Sequence, residues 1–168
     1  MPQSFNLDRL PTPIGTALLV FLSGQPNGGN GAVAAVALRF ALDKSSLPFA
    51  HAVFLGILCN VLVCLAVWLS IGARSIADKI LAVLFPVSAF VAAGFEHSVA
   101  NMYLIPLGLF LKAWAPAASG VSSAASAQDL AALTWPAFFT SLVPVTVGNV
   151  IGGGLTFAAP GGVDHHGG

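Results

Sequence analysis

His97 is the residue of this sequence whose type and position most clearly allow chemistry. It lies near the middle of a long apolar stretch, residues 80–111. An ionisable side chain deep in a membrane commonly serves an ion or proton pathway, and histidine exchanges a proton near neutral pH. The alternative is a neutral histidine that packs and hydrogen-bonds against a neighbouring helix. The depth of His97 favours the functional interpretation.

Three further polar residues in apolar runs could act together with His97. Glu96 cannot share a helical face with its neighbour His97, so we expect it to satisfy backbone N–H groups or a polar neighbour where the chain breaks. Asn60 and Asn149 could each donate a hydrogen bond to an anion or tie helices together, and their residue type leaves both roles open. A metal site needs three or four converging ligands. With one histidine at this depth, we predict neither a metal nor another cofactor.

Two apolar residues stand at helical spacing from these polar ones. Phe90 precedes His97 by two helical turns on roughly the same face, and Val63 follows Asn60 by about one turn. Residues of this kind either form apolar collars around a pore or simply pack in a core. The spacing alone leaves both interpretations open.

The composition of the chain indicates a membrane environment. Of its 168 residues, 57% are hydrophobic and only 7% are charged, whereas soluble domains average about 25% charged residues. Six basic residues balance six acidic ones, so the chain lacks the basic patch that binding of nucleic acid requires. We therefore predict an all-α integral membrane protein in contact with the lipid bilayer.

Apolar runs predict a membrane domain over residues 14–160, with disordered ends at 1–13 and 161–168. About 20 residues are needed to cross the hydrocarbon core, so residues 14–23 amount to half a span. The predicted spans are 14–23 in part, 49–71, 80–111 and 135–159.

The stretch 80–111 is too long for one straight span. It would measure about 48 Å as a helix, against a hydrocarbon core of about 30 Å. Irregular backbone at this depth survives only where it is buried in protein or lines a water path. We therefore predict two half-helices with a break at residues 96–101. The last span, 135–159, is also predicted to be interrupted, at Pro144, at Gly148-Asn149 and at the run Gly152–Gly154. That run is too rich in glycine for a rigid helix and suits close approach of helices.

Basic residues orient the predicted spans. The polar loop 72–79 carries Arg74 and Lys79, and the positive-inside rule places it in the cytoplasm. Alternation of the spans then puts Lys44 on the outer side and the C-terminal tail in the cytoplasm.

Three stretches of sequence resemble motifs of the formate/nitrite transporter family. They occur in the family's order and spacing, and the resemblance covers about residues 14–160. The stretches are GILCNVLVCLAVWL (56–69), AGFEHSVANMYLIPLG (93–108) and VPVTVGNVIGGGL (143–155).

The resemblance implies an aquaporin-like helical bundle. In the family, six spans per subunit form two inverted repeats, and subunits assemble as a pentamer with one pore in each. About two and a half spans precede the point at which this chain joins the family pattern. We therefore expect the second repeat to be complete and the first to be largely missing.

The resemblance also implies roles for the residues singled out above. His97 matches the central pore histidine, and Lys44 falls where the family carries a vestibule lysine that attracts anions. The remaining matches line the pore wall: Phe90 and Val63 at its constrictions, and Asn60 and Asn149 at polar positions.

These matches predict a channel or transporter, and not an enzyme, in the plasma (inner) membrane. The cargo would be a small weak-acid anion, formate or nitrite, with hydrosulfide as a further candidate, and protons would be coupled to it. The predicted substrate-pore residues are His97, Asn60, Asn149, Lys44 and Glu96. A rival hypothesis is a non-transporting fragment, or a half-subunit that needs a separate N-terminal half. An intramembrane enzyme would require a second catalytic group opposite Glu96 and His97, and the sequence offers none.

Overall fold

A computed structural model describes residues 12–114 and 125–158 of the chain. Every element in these two ranges is helical, which confirms the predicted all-α fold. Two helical stretches are long and apolar enough to cross a membrane, Phe49–Gly72 and Trp135–Thr156. Apart from a 3₁₀ helix at Gln25–Gly31, the helices are α1 (Thr12–Leu22), α2 (Ala32–Ser45), α3 (Phe49–Gly72), α4 (Ile76–Ala92), α5 (Ser98–Trp114), α6 (Ala127–Ala132) and α7 (Trp135–Ala158).

The N-terminal boundary of the helical domain differs from the prediction. The sequence predicts disorder through residue 13, but Thr12 and Pro13 form the first turn of α1. Proline is well tolerated there because its missing N–H would have no partner in a first helical turn. The rest of the predicted disordered ends, 1–11 and 161–168, lies outside the described residues.

The structure divides into two compact units. One contains the described residues among 1–47 and 99–142, and the other contains those among 48–98 and 143–168. All the residues predicted to line the pore except Lys44 fall in the second unit.

The first unit is built around a small apolar core. Its largest buried cluster joins α2 and α5 to the chain around α6 and the start of α7: Leu38, Ala41, Ile105, Leu109, Leu133 and Phe138. At Gly108 a side chain would collide with the Cβ of Ala41, so the glycine permits close contact between α5 and α2. Lys112 donates a hydrogen bond of 2.7 Å from Nζ to the carbonyl of Leu133.

Along the chain, α4 and α5 are separated by a non-helical segment at residues 93–97. The sequence predicts this break at 96–101, so the break begins and ends earlier in the chain than expected. Asn101, assigned to the break, lies instead in the first turn of α5 and is fully buried. The polar residues at 96–101 suggest a break there, but a glycine determines where α4 ends.

That glycine is Gly94, which follows the last turn of α4 with a φ of 69°. Its N–H donates to the carbonyl of Val91 at 3.1 Å, and the N–H of Phe95 donates to the carbonyl of Phe90 at 3.0 Å. This pair of bonds is the Schellman arrangement, which needs a left-handed residue at the position of Gly94. The carbonyls of Phe90 and Val91 in the last turn of α4 therefore have hydrogen-bond partners beyond the end of the helix.

The predicted interruption of the last span is wrong, because α7 runs without a break from Trp135 to Ala158. Pro144 is accommodated within the helix. A Cβ at Gly148 would collide with the carbonyl of Val53 on α3. At Gly152 it would collide with the carbonyl of Ile57. The glycines that suggested a break instead let the backbones of α7 and α3 approach closely, as small residues do in membrane helix pairs.

Candidate functional site

His97 is the last residue of the segment that separates α4 from α5. Its ring stacks on that of Phe90, with ring centroids 6.2 Å apart and an angle of 25° between the planes. The spacing of two helical turns predicts roughly the same face for both residues, and the structure brings their rings together although His97 lies beyond the end of α4. An ionisable ring packed on an aromatic face thus lies where the regular backbone stops.

Asn149 on α7 bonds to the backbone on both sides of His97. Its Oδ1 accepts the N–H of Ser98 at 2.9 Å, and its Nδ2 donates to the carbonyl of Glu96 at 3.0 Å. The second hydrogen on Nδ2 goes to the carbonyl of Gly56 on α3, at 2.9 Å. This set fixes the amide orientation, because a flipped amide would oppose donor to donor and acceptor to acceptor.

The bond to Ser98 also serves α5. The first N–H groups of a helix have no partner inside it, and a buried helix start without partners is costly. In this protein a side chain of another helix, Asn149 on α7, accepts the N–H of Ser98, the first residue of α5. Asn149 therefore contributes to where α5 begins.

Asn60 on α3 forms a further hydrogen bond to Asn149. Its Nδ2 donates to the backbone carbonyl of Asn149. The sequence leaves Asn60 and Asn149 as either anion donors or helix ties, and these contacts support the tying role. Both amide hydrogens of Asn149 have carbonyl acceptors, and the side chain is only 7% exposed.

Glu96 is buried, with 3% of its surface exposed. Its backbone carbonyl is the group that accepts Asn149 Nδ2. A charge at such a position is costly unless other groups satisfy it. Glu96 and His97 both lie in the non-helical segment, so they share no helical face.

The two remaining predicted residues, Val63 and Lys44, lie on α3 and α2. Val63 is half-buried on α3, one turn beyond Asn60. Lys44 is half-buried in the last turn of α2, in the first unit. A cation is favourable at that end of a helix, because the macrodipole is negative there.

Sequence reasoning missed two members of the cluster, Gly56 and Ser98. Both act through backbone atoms, which carry no signature of residue type. A usable signal did exist for the packing, since Gly148 and Gly152 are spaced four apart as in close membrane helix contacts. Among the described residues, no three His, Cys, Asp or Glu side chains come together in a way that could hold a metal ion.

Residues 11–161 match the family model for the formate/nitrite transporter. The chain belongs to the formate/nitrite transporter family. This confirms the family predicted from the three sequence motifs, and the match spans both of the units described above.

Individual members of the formate/nitrite transporter family show the same relationship. The formate channel FocA of Escherichia coli (strain K12) is 44% identical over 139 residues, which are 82% of this chain and 49% of the relative. Formate channel FocB of the same strain is 40% identical over 140 residues, 83% of this chain and 50% of the relative. Both relatives are channels and not enzymes.

A solved structure of a pentameric formate channel with formate bound has the same fold. It superposes with a TM-score of 0.78 at 36% sequence identity, over 86% of this chain and 58% of that one. The chain thus spans about half the length of the curated formate/nitrite transporter relatives that it matches.

Proposed function

We propose that the chain contributes the pore of a membrane channel for small monovalent weak-acid anions, with formate or nitrite as the cargo and hydrosulfide as a further candidate. The observation that carries the proposal is the placement of His97 in a chain break between two half-helices, in a member of a transporter family. Non-helical backbone at membrane depth is tolerated where it lines a water-accessible path.

The proposal gives five of the predicted pore residues a part, while Asn60 and Asn149 tie the helices around them. His97 is the central proton-exchanging group, with Glu96 beside it in the break. Phe90 and Val63 form apolar constrictions that oppose a bare charge. Lys44 raises the local concentration of anions in the outer vestibule, where a positive charge attracts them.

Two routes past His97 are compatible with this arrangement. In the first, the anion takes up a proton near His97 and crosses the constriction as a neutral acid, which a low dielectric favours over its anion. In the second, a transiently protonated His97 pairs with the anion directly. Both routes need the proton chemistry of the imidazole, so both predict flux that depends on pH through His97.

The wider architecture is part of the same proposal. We infer an aquaporin-like pair of inverted repeats, of which this chain supplies the second, in a homopentamer. Support comes from the structural match to a pentameric formate channel. The loop 72–79 with Arg74 and Lys79 favours a plasma (inner) membrane orientation with that loop and the C-terminus in the cytoplasm.

The test is uptake of formate, nitrite and hydrosulfide into liposomes that contain the chain, across a range of pH and against empty vesicles. Replacing His97 by Phe keeps an aromatic ring of similar size beside Phe90 but removes the titratable group. We expect the variant to assemble normally and to lose the pH dependence of uptake. Unchanged pH-dependent flux through His97→Phe would overturn the proton-relay part of the proposal.

The rival hypothesis is that these residues conduct only together with further spans. It is favoured by one observation, that the match covers about half of each full-length relative. The same liposome assay separates the two, if the chain is tested alone and after co-expression with the N-terminal half of a related channel. Flux that appears only in the second case would assign the chain the role of a half-subunit.

A further inference from the structure

We propose that Asn149 is a positioning residue that sets the orientation of the His97 ring, and through it the pH response of the pore. The inference deepens the proposed function and rests on it for its transport consequence. The structural part of the inference does not depend on transport, because it concerns only the hydrogen bonds between the Asn149 amide and residues 96–98.

Asn149 forms hydrogen bonds with the two residues that flank His97. One goes to the Glu96 carbonyl at 3.0 Å and one to the Ser98 N–H at 2.9 Å. With both neighbours fixed, the backbone of His97 has little freedom left, and the ring direction follows from its side-chain torsions. The stack on Phe90 then settles those torsions.

Contacts with α3 hold the side-chain amide of Asn149 in place. Its second Nδ2 hydrogen is donated to Gly56 on α3, and the backbone carbonyl of Asn149 accepts a bond from Asn60. Gly148, the preceding residue in the chain, packs directly on the α3 backbone. The position of His97 is therefore fixed by the contact between the long helices α3 and α7, and not by a mobile loop.

Asn149 does not titrate, so any effect that it has on pH dependence must pass through a group that does. The described part of α7 carries no ionisable side chain. The other titratable residues of the second unit and of α5 are His51, Cys59, Cys64, Arg74, Asp78, Lys79, Glu96, Tyr103 and Lys112. Glu96 is the only one of these within the 93–97 segment, and it is held by the same amide.

Two variants separate the bonds. Asn149→Leu keeps the approximate volume of the side chain and removes all three hydrogen bonds. Asn149→Asp keeps an acceptor for Ser98 but loses both donors. The matched control is Thr156→Val, two turns further along α7, which removes a hydrogen bond of 2.7 Å made within the helix, to Gly152, and leaves the segment around His97 untouched.

The first readout needs no transport. The chain in lipid nanodiscs is treated with diethylpyrocarbonate, and mass spectrometry of the peptide that contains His97 gives its rate of modification. Loss of one hydrogen bond of ordinary strength should let the segment open about tenfold more often. We expect modification about tenfold faster in Asn149→Asp, which loses one of the two bonds to the segment, about a hundredfold faster in Asn149→Leu, which loses both, and unchanged in Thr156→Val.

The second readout is the pH profile of formate uptake in the conducting preparation. We expect the midpoint of the profile to move in Asn149→Leu and to stay in place in Thr156→Val. A residue that only supports folding would lower the flux without moving the midpoint, and that result overturns the proposal. So does a His97 modification rate that is equal in all four proteins.

The two readouts also separate this inference from the proposed function. Faster modification of His97 in a chain that conducts nothing would uphold the positioning role while the channel proposal fails. If Asn149→Leu does not fold, as judged by its circular dichroism, Asn149→Asp carries the decision, because it retains the bond to Ser98.

Discussion

The contact between α3 and α7 depends on glycine, and a single added methyl group should break it. In Gly148→Ala the new Cβ would collide with the carbonyl oxygen of Val53, and it would lie 3.0 Å from the carbonyl carbon of Val53 and 3.1 Å from the Cα of Gly56. All three atoms belong to the backbone of a helix, so no side chain can rotate away. The two helices would have to separate by roughly 1 Å to restore ordinary contact.

The cost can be estimated from three contributions. Forcing an extra methyl group into a packed contact costs about 1–3 kcal/mol. The separation also lengthens the bond from Asn149 to Gly56, now 2.9 Å, and a buried group left without its partner costs about 1–3 kcal/mol. Alanine recovers about 1 kcal/mol, because it is the better helix former. We expect a net loss of about 3 kcal/mol in the free energy of unfolding.

The matched control is Gly154→Ala on the same helix. Nothing lies within 4 Å of a Cβ added there, so the change should stabilise the chain by up to about 1 kcal/mol through helix propensity alone. Reversible unfolding in mixed detergent micelles, followed by circular dichroism, measures both variants against the parent chain. A Gly148→Ala chain as stable as Gly154→Ala would refute the close contact between α3 and α7.

Three further predictions concern other parts of the structure. The hydroxyl and then the backbone N–H of Ser126 hold the pKa of Asp129 below its usual range. The hydrogen bonds from Ser126 therefore stabilise the folded chain fully above the pKa that Asp129 has in the unfolded chain, and this stabilisation is lost as pH falls through the lower folded pKa. Ser126→Ala should raise the pKa of Asp129 in a carboxyl NMR titration, and an unchanged titration would contradict this. Gly94→Ala meets no neighbour within 4 Å but must keep a φ of 69°, which should cost about 1–2 kcal/mol of unfolding free energy; equal or greater stability would show that the turn tolerates a side chain. Lys112→Met leaves the buried carbonyl of Leu133 without its 2.7 Å bond and should cost about 1.5–3 kcal/mol, and an unshifted unfolding midpoint would argue that water replaces the ammonium.

Much of the fold follows from patterns that are visible in the sequence. The run from residue 49 to 71 is long, apolar and free of charge, and it forms the continuous helix α3 with boundaries within one residue of those expected. The position of His97 in a chain break was also predictable, because an ionisable side chain in an apolar stretch must be accommodated by irregular or water-accessible structure. Both features can be predicted from the composition of the apolar runs and the position of residues within them, without knowledge of which residues are close in space.

The errors in the sequence analysis have a common cause. The break was placed on the polar residues at 96–101, whereas Gly94 ends the helix by adopting a left-handed conformation that other residues avoid. The glycines of α7 suggest helix breaks, whereas Gly148 and Gly152 make room for the backbone of α3, a close approach that the sequence indicates only for the run Gly152–Gly154. Glycine suits both a left-handed turn and a close helix contact, and one sequence does not show which of the two a given glycine serves.

The contacts of Asn149 could not have been predicted for a different reason. Its three partners are two backbone carbonyls and one backbone N–H, and every residue type except proline offers the same groups. Sequence reasoning could identify Asn149 as a polar side chain at depth. It could not choose between an anion and a peptide group as the recipient of its hydrogen bonds.

The long-range bonds of Asn149 have a consequence for the order in which the protein is made. Asn149 is synthesised 53 residues after Glu96 and 93 residues after Gly56. At about 5–20 residues per second, a ribosome needs about 3–10 s to reach Asn149 after it has passed Glu96. During that interval the chain around His97 lacks the amide that closes it, and translation that stalls before α7 leaves an open, polar gap exposed to lipid. The segment around His97 therefore reaches its final hydrogen bonding only once α7 has been made and inserted.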